Sequence, residues 1–140
     1  KSTTEHRFEK VEIINGTRFI NDSKSTNFHS VSSASERVKN ALLIMHGITK
    51  NIPTSELQLS NEIKKIIIPE DMKLDQNLFH CEVEVIKSIF ELEDILKKDF
   101  QRFETVLFSC GGSSFNDFEN YIERGKFFKS IVKNLKGGQN

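Results

Sequence analysis

Phe8-Glu9-Lys10-Val11-Glu12-Ile13-Ile14-Asn15-Gly16-Thr17-Arg18-Phe19-Ile20 decides the architecture of this chain. Two β-rich runs, residues 8–14 and 17–20, flank Asn15-Gly16. Asn-Gly is the preferred two-residue hairpin turn, because both central positions need positive φ. The chain therefore opens with two antiparallel strands. Beyond the hairpin the pattern changes to strands alternating with helices. Residues 21–27 are polar, and Asp22, Ser23, Ser25, Thr26 and Asn27 can each offer an oxygen to free N–H groups. A helix is expected over about 29–39. Ala41-Leu42-Leu43-Ile44-Met45 is a continuous apolar run, as a strand buried on both faces of a parallel sheet requires.

The same reading continues to the end of the chain. A loop is expected over 46–53, a helix over 55–64, a strand over 65–68 closed by Pro69, a polar loop over 70–77 and a strand over 79–86. Ser88 with Glu91 three residues on is a capping-box pattern opening a helix to about residue 100. Residues 105–108 read as a further buried strand and 109–114 as a Gly/Ser turn. A final helix is expected from about 115 to 135. Its Phe115, Phe118, Ile122, Phe128, Ile131, Val132 and Leu135 fall at helical spacing, and Gly137-Gly138 ends it. Strands alternating with helices behind a hairpin give an α/β fold, its sheet mainly parallel with one antiparallel member.

With 140 residues, 36% of them apolar, the chain suits one domain with a single core. Lys plus Arg and Asp plus Glu are both 20, so the formal net charge is zero. A nucleic-acid partner, which calls for a basic excess or stripe, is not expected. The pairs Lys64-Lys65 and Lys97-Lys98 stand among acids and read as solvated helix surface. No apolar run approaches membrane-spanning length, and no charged start precedes an apolar signal core, so a cytoplasmic protein with no membrane contact is expected. Cys81 and Cys110 match no zinc or redox spacing and read as buried free thiols. The first residue is Lys and the first strand begins within a few residues, so a piece of something longer is expected.

Ligands of such sheets bind at the carboxyl ends of the strands. That rule selects residues 21–27, 46–50 and 109–114, three polar loops that each follow a strand. The phosphate-loop pattern GxxxxGK[ST], the dinucleotide pattern GxGxxG and the nucleophile elbow GxSxG are all absent, and no His/Cys/Asp/Glu cluster has metal-ligand spacing. Spacing alone yields an α/β domain with a polar site at the strand ends.

Three segments carry a resemblance that reaches further. His6-Arg7-Phe8-Glu9 resembles the HR-x-E entry into the C-terminal domain of the Mur ligases. Phe19-Ile20-Asn21-Asp22-Ser23-Lys24-Ser25-Thr26-Asn27 is similar to that family's FINDSKATN segment. Ser113-Ser114-Phe115-Asn116-Asp117-Phe118 with Glu123-Arg124-Gly125 is similar to its AS-x-D-x-F…RG segment, and His46-Gly47-Ile48-Thr49-Lys50 resembles its GG-x-x-K loop. The matches span nearly the whole chain in order, and the DSK-x-TN run is characteristic of the D-glutamate-adding branch. The chain departs from the family where His46 replaces a Gly and where Cys110-Gly111-Gly112 replaces a Pro-Ala-Cys run.

The resemblance implies a Rossmann-like three-layer domain, residues 1–140, that binds the amino acid. The N-terminal and central ATP-binding domains would lie outside this chain. The activity it implies is ATP-dependent: a carboxylate of UDP-N-acetylmuramoyl-L-alanine is phosphorylated, and the amine of D-glutamate attacks the acyl phosphate to form an amide. His6, Arg7, Asp22 and Lys24 would contact the nucleotide, with Lys24 offsetting charge on the transferred phosphoryl group. Thr26, Lys50, Ser114, Phe115 and Tyr121 would surround D-glutamate, helped by N–H groups at the start of the final helix. ATP and Mg²⁺ are the implied cofactors, with metal ligands mainly in the central domain and none in this chain. A monomer is expected, and the isolated domain is expected to be inert. Each residue also has a plain structural reading: caps for Asp22, Thr26 and Ser114, surface charge for Arg7, Lys24 and Lys50, core packing for Tyr121. His29, His46 and His80 are expected to be structural or exposed. Two other readings fit the same residues: another ligase of this superfamily, such as a folylpolyglutamate synthase, and a stand-alone module for a small acidic ligand.

Overall fold

The computed structural model describes residues 5–49 and 51–138. The opening hairpin forms as expected. Strands β1 (Glu9–Ile14) and β2 (Thr17–Asp22) pair antiparallel around Asn15 and Gly16, whose φ values are 50° and 89°. Helix α1 (Phe28–Ser35) follows, capped by Asn27, whose side chain accepts from the Ser30 N–H. Then come β3 (Ala41–His46), β4 (Ile63–Pro69), β5 (Glu82–Ile86), α2 (Leu92–Asp99), β6 (Thr105–Gly111) and α3 (Tyr121–Gly137). The six strands form one sheet in the order β1-β2-β6-β3-β4-β5, parallel throughout except for β1.

Alternation along each strand divides the core between the two faces of the sheet. Phe19, Leu42, Ile44, Val106 and Phe108 pack with Leu92 and Leu96 of α2 and with Phe128, Ile131, Val132 and Leu135 of α3. Ile20, Leu43, Met45, Ile66 and Leu107 pack with Phe28, Val31 and Ala34 of α1. The result is the three-layer α/β arrangement, with β3 and β6 central and wholly buried.

Four expectations are corrected. No helix forms over 55–64; a single 3₁₀ turn at Thr54–Glu56 gives way to extended chain that enters β4 at Ile63. Leu57 and Leu59 both pack against the α1-side core, and a spacing of two suits extended chain, whereas a helix needs three or four. The last helix begins at Tyr121 rather than 115, because Asn120 takes the cap by accepting from the Glu123 N–H. Ser114–Asn116 is a separate 3₁₀ turn, which leaves Phe115 71% exposed and Ile122 38% exposed, off the core. Lys65 is not solvated surface. It is buried on β4, with Nζ 2.9 Å from Glu84 and 3.0 Å from Asp99. Cys81 is only half-buried; Cys110 is fully buried, and burial pushes its thiol up to about 12, so it stays protonated and inert.

Candidate functional site

The loops after β2, β3 and β6 lie side by side, as the strand-end rule requires. Gly111 N–H donates to Ser25 O at 3.0 Å, which ties the β6 end to the loop after β2. Ile48 and Ser113 exchange backbone hydrogen bonds of 2.8 and 3.1 Å, which ties the loop after β3 to the turn after β6. Gly47 makes that approach feasible. Its φ is 126°, and a Cβ there would stand 2.4 Å from Ser113 O.

One residue joins all three loops. Arg124, on α3 and fully buried, donates from Nη2 to Ser23 O (2.7 Å) and from Nε to Ser23 Oγ (3.0 Å). Its Nη1 reaches Gly112 O (2.8 Å), His46 O (3.2 Å) and His46 Nδ1 (3.2 Å). Sequence reasoning gave Arg124 no role, although a signal was present. Arg124, Phe128, Ile131 and Leu135 follow the i, i+4, i+7, i+11 rhythm of one buried stripe, so the arginine stands where a core residue is expected. The adjacent Gly125 serves the chain entry: a Cβ there would fall 2.1 Å from His6 Nδ1.

The nucleotide candidates fall into two environments. Arg7, Asp22 and Lys24 line one cleft of about 230 Å³, together with Arg37 and His29. Arg37, also missed by sequence reasoning, lays its guanidinium over the Phe8 ring at 3.7 Å. Asp22 is 6% exposed; Oδ1 accepts from Phe8 N–H (2.8 Å) and Oδ2 from Ser109 Oγ (2.7 Å). Burial pushes its carboxyl above the ordinary value, against the opposing pull of those two hydrogen bonds and of Arg37 and Arg7. It is not a helix cap; it joins the chain entry to β6. His6 lies away from this group, 2% exposed, with Nδ1 2.8 Å from Asn21 Nδ2 and its ring edge-on to Tyr121. Burial lowers the His6 pKa, with nearby Glu5 and Glu9 acting the other way.

The amino-acid candidates are less compact. Ser114 is buried and Phe115 exposed on the 3₁₀ turn; Thr26 is exposed at the mouth of the loop after β2. Tyr121 stands nearer the nucleotide group, its ring 5.6 Å from Lys24 Nζ. Because α3 starts only at Tyr121, the N–H groups at Ser114 and Phe115 belong to a short turn and carry no long-helix dipole. Lys50 lies outside the described residues. Among the described residues no group of three His, Cys, Asp or Glu side chains is placed to hold a metal, and no helix is long and apolar enough to cross a membrane.

The chain is thus a three-layer α/β domain with a cleft lined by Arg7, Lys24 and Arg37 and a three-loop cluster at its strand ends, where ligands of such sheets bind. No family model matches the chain. It is similar to the UDP-N-acetylmuramoylalanine--D-glutamate ligase of Thermosipho africanus, 39% identical over 144 residues, covering 96% of this chain and 33% of that protein. The enzyme of the same name from Thermosipho melanesiensis is 36% identical, covering 95% and 32%, and that from Fervidobacterium nodosum 34% identical, covering 95% and 33%. The chain belongs to the Mur ligase family and matches the C-terminal domain of its D-glutamate-adding members. It spans about a third of the length of the curated relatives it matches.

Proposed function

We propose that residues 1–140 form one domain, the amino-acid-binding, lid-like third of an ATP-dependent ligase that joins D-glutamate to UDP-N-acetylmuramoyl-L-alanine in peptidoglycan synthesis. The N-terminal and central ATP-binding domains lie upstream, and the whole protein is a cytoplasmic monomer. The observation that carries this reading is the cleft in which Arg7, Lys24 and Arg37 surround a largely saturated Asp22. Such a cleft offers cationic donors to a polyphosphate, beside a loop cluster able to take a small acid. Mg²⁺, which residues outside this chain would mainly hold, would neutralise charge at the phosphates when bound. Lys24 places a point charge near the transferred phosphoryl group. Arg7 and Asp22 orient the nucleotide, and His6 holds the chain entry behind them.

D-glutamate presents two carboxylates and one amine, and only the amine must remain free to attack. Thr26 and Ser114 supply hydroxyl donors, Phe115 its backbone, Tyr121 a wall and Lys50 a point charge for a carboxylate. In the full-length protein, Lys50→Ala is expected to raise the KM for D-glutamate more than that for ATP. A charged hydrogen bond contributes roughly 1.5–3 kcal/mol, so kcat/KM for D-glutamate should fall about ten- to a hundredfold. Steady-state kinetics with each substrate varied checks this, and an unchanged KM for D-glutamate would assign the carboxylate to another residue. The 140-residue chain alone is expected to release no ADP or phosphate with ATP, D-glutamate and the nucleotide substrate, because it carries no phosphate loop. Turnover by the chain alone would overturn the division of labour proposed here.

A further inference from the structure

His46 ends β3 at a register shift against β6 between Ile44 and His46, and its ring is fully buried. Both ring nitrogens are engaged. Nδ1 lies 3.2 Å from Arg124 Nη1, and Nε2 lies 2.8 Å from Asp117 Oδ2. A guanidinium only donates, so Nδ1 must carry the lone pair and Nε2 the proton, which it donates to Asp117. Asp117 closes the Ser114–Asn116 turn: its own N–H and that of Phe118 both donate to Ser114 O, at 3.2 and 2.9 Å. The Phe118 ring stands edge-on to His46, with centroids 5.4 Å apart. The corner that presents Ser114 and Phe115 is thus fastened from beneath by one neutral histidine.

We propose that neutral His46 is a positioning residue for the Ser114–Phe115 corner and hence for recognition of the amino acid, and that protonation of His46 loosens this corner. The part in amino-acid recognition rests on the function proposed above. A proton arriving at Nδ1 would face the Arg124 donor, converting an acceptor–donor pair into two opposed donors with like charge. The groups facing the ring are Arg124 from α3, Asp117 from the segment before it, and Asp71 from the Glu70–Met72 turn, which also accepts from Asn116 Nδ2 at 3.3 Å. Burial, the largest influence, lowers the His46 pKa; Arg124 acts in the same direction, and Asp117 and Asp71 oppose it. The folded chain therefore binds fewer protons at His46 than the unfolded chain does. The stability it contributes is complete above the ordinary value of 6.5 and is lost as pH falls below that value toward the folded pKa.

The experiment is an NMR titration of the 140-residue chain from pH 8 to pH 5, with ¹⁵N-labelled histidine and amide detection. The expected result is the Nε2–H tautomer at neutral pH, a midpoint below 6.5, and amide signals of Ser114, Phe115 and Asp117 that shift with that midpoint. Asp117→Asn, at a position whose side chain is partly exposed, keeps an acceptor, removes the charge and should lower the midpoint further. In the full-length protein, Asp117→Ala is expected to raise the KM for D-glutamate about threefold or more with the KM for ATP unchanged, and Asp117→Asn to recover most of that loss. A midpoint at or above 6.5, or Ser114 and Phe115 amides indifferent to it, would overturn the anchor. A coupled titration with a D-glutamate KM indifferent to Asp117→Ala would overturn its part in recognition. Absence of any D-glutamate dependence in the unsubstituted full-length protein would sink the proposed function instead.

Discussion

Lys24→Ala in the full-length protein is expected to lower kcat by about 10²–10³-fold, the usual loss when one positioned donor is removed from charge that develops in a transition state. The backbone of Lys24 is fixed, its N–H donating to His6 O at 2.9 Å, and alanine keeps that bond. The ammonium, by contrast, makes no ion pair among the described residues; it lies 5.6 Å from the Tyr121 ring centroid, on the wall of the Arg7–Arg37 cleft. A cation held in place but left unneutralised is available to an anionic ligand. Its removal should therefore move thermal unfolding little, by less than about 0.5 kcal/mol as at an ordinary surface position. Lys24→Arg should restore only part of the rate, because a planar fork does not replace a compact point charge. Turnover and melting temperature, measured on the same preparations, check the pair of expectations. Near-normal turnover in Lys24→Ala would reduce Lys24 to a surface lysine.

How much of this was legible in the sequence depended on the range of the interaction concerned. Asn15-Gly16 and the unbroken run from Ala41 to Met45 reported themselves, because a hairpin turn and a doubly buried strand are determined by the residues that form them. The segment over 55–64 misled because its composition is helix-compatible while its two leucines are spaced for an extended chain. The start of α3 is misplaced because the apolar spacing and a cap reading at Ser114 run the helix too early; in the structure Ser113 caps only the 3₁₀ turn, accepting from the Phe115 N–H, and Asn120 caps the helix. Lys65 looked solvated because its neutralising partners, Glu84 and Asp99, are 19 and 34 positions away along the chain. In the site, of the four residues read together as nucleotide contacts, Arg7, Asp22 and Lys24 line one cleft and His6 lies apart, against Asn21 and Tyr121. Arg37 belongs to none of the segments that resemble the family, and Arg124, though part of the Glu123-Arg124-Gly125 segment, takes its partners Ser23, His46 and Gly112 from distant parts of the chain.

Arg124→Ala is expected to destabilise the chain by about 3–5 kcal/mol, the range found when one member of a buried charged network is removed. The reason lies in what would remain. The carbonyls of Ser23, His46 and Gly112 all accept from this guanidinium inside a site closed to water, and each buried acceptor left without its donor costs roughly 1–3 kcal/mol. Among the described residues no carboxylate touches Arg124 directly; its charge is met by neutral dipoles and, through His46, by Asp117. An apolar replacement of similar length therefore cannot rescue the site, since the three carbonyls would still lack donors. Arg124→Lys keeps the charge but cannot reproduce a fork that spans three loops, so it should recover only part of the loss. The melting temperature of the 140-residue chain should drop by on the order of 10 °C for Arg124→Ala, with a smaller fall for Arg124→Lys. The backbone bonds between Ile48 and Ser113 and from Gly111 to Ser25 would then hold these loops with only the His46–Asp117 and Ser109–Asp22 side-chain bonds beside them, and amide exchange at Ile48, Gly111 and Ser113 should accelerate together. An unchanged melting temperature with slow exchange at all three would show that those backbone bonds suffice, and that the arginine serves a ligand rather than the fold.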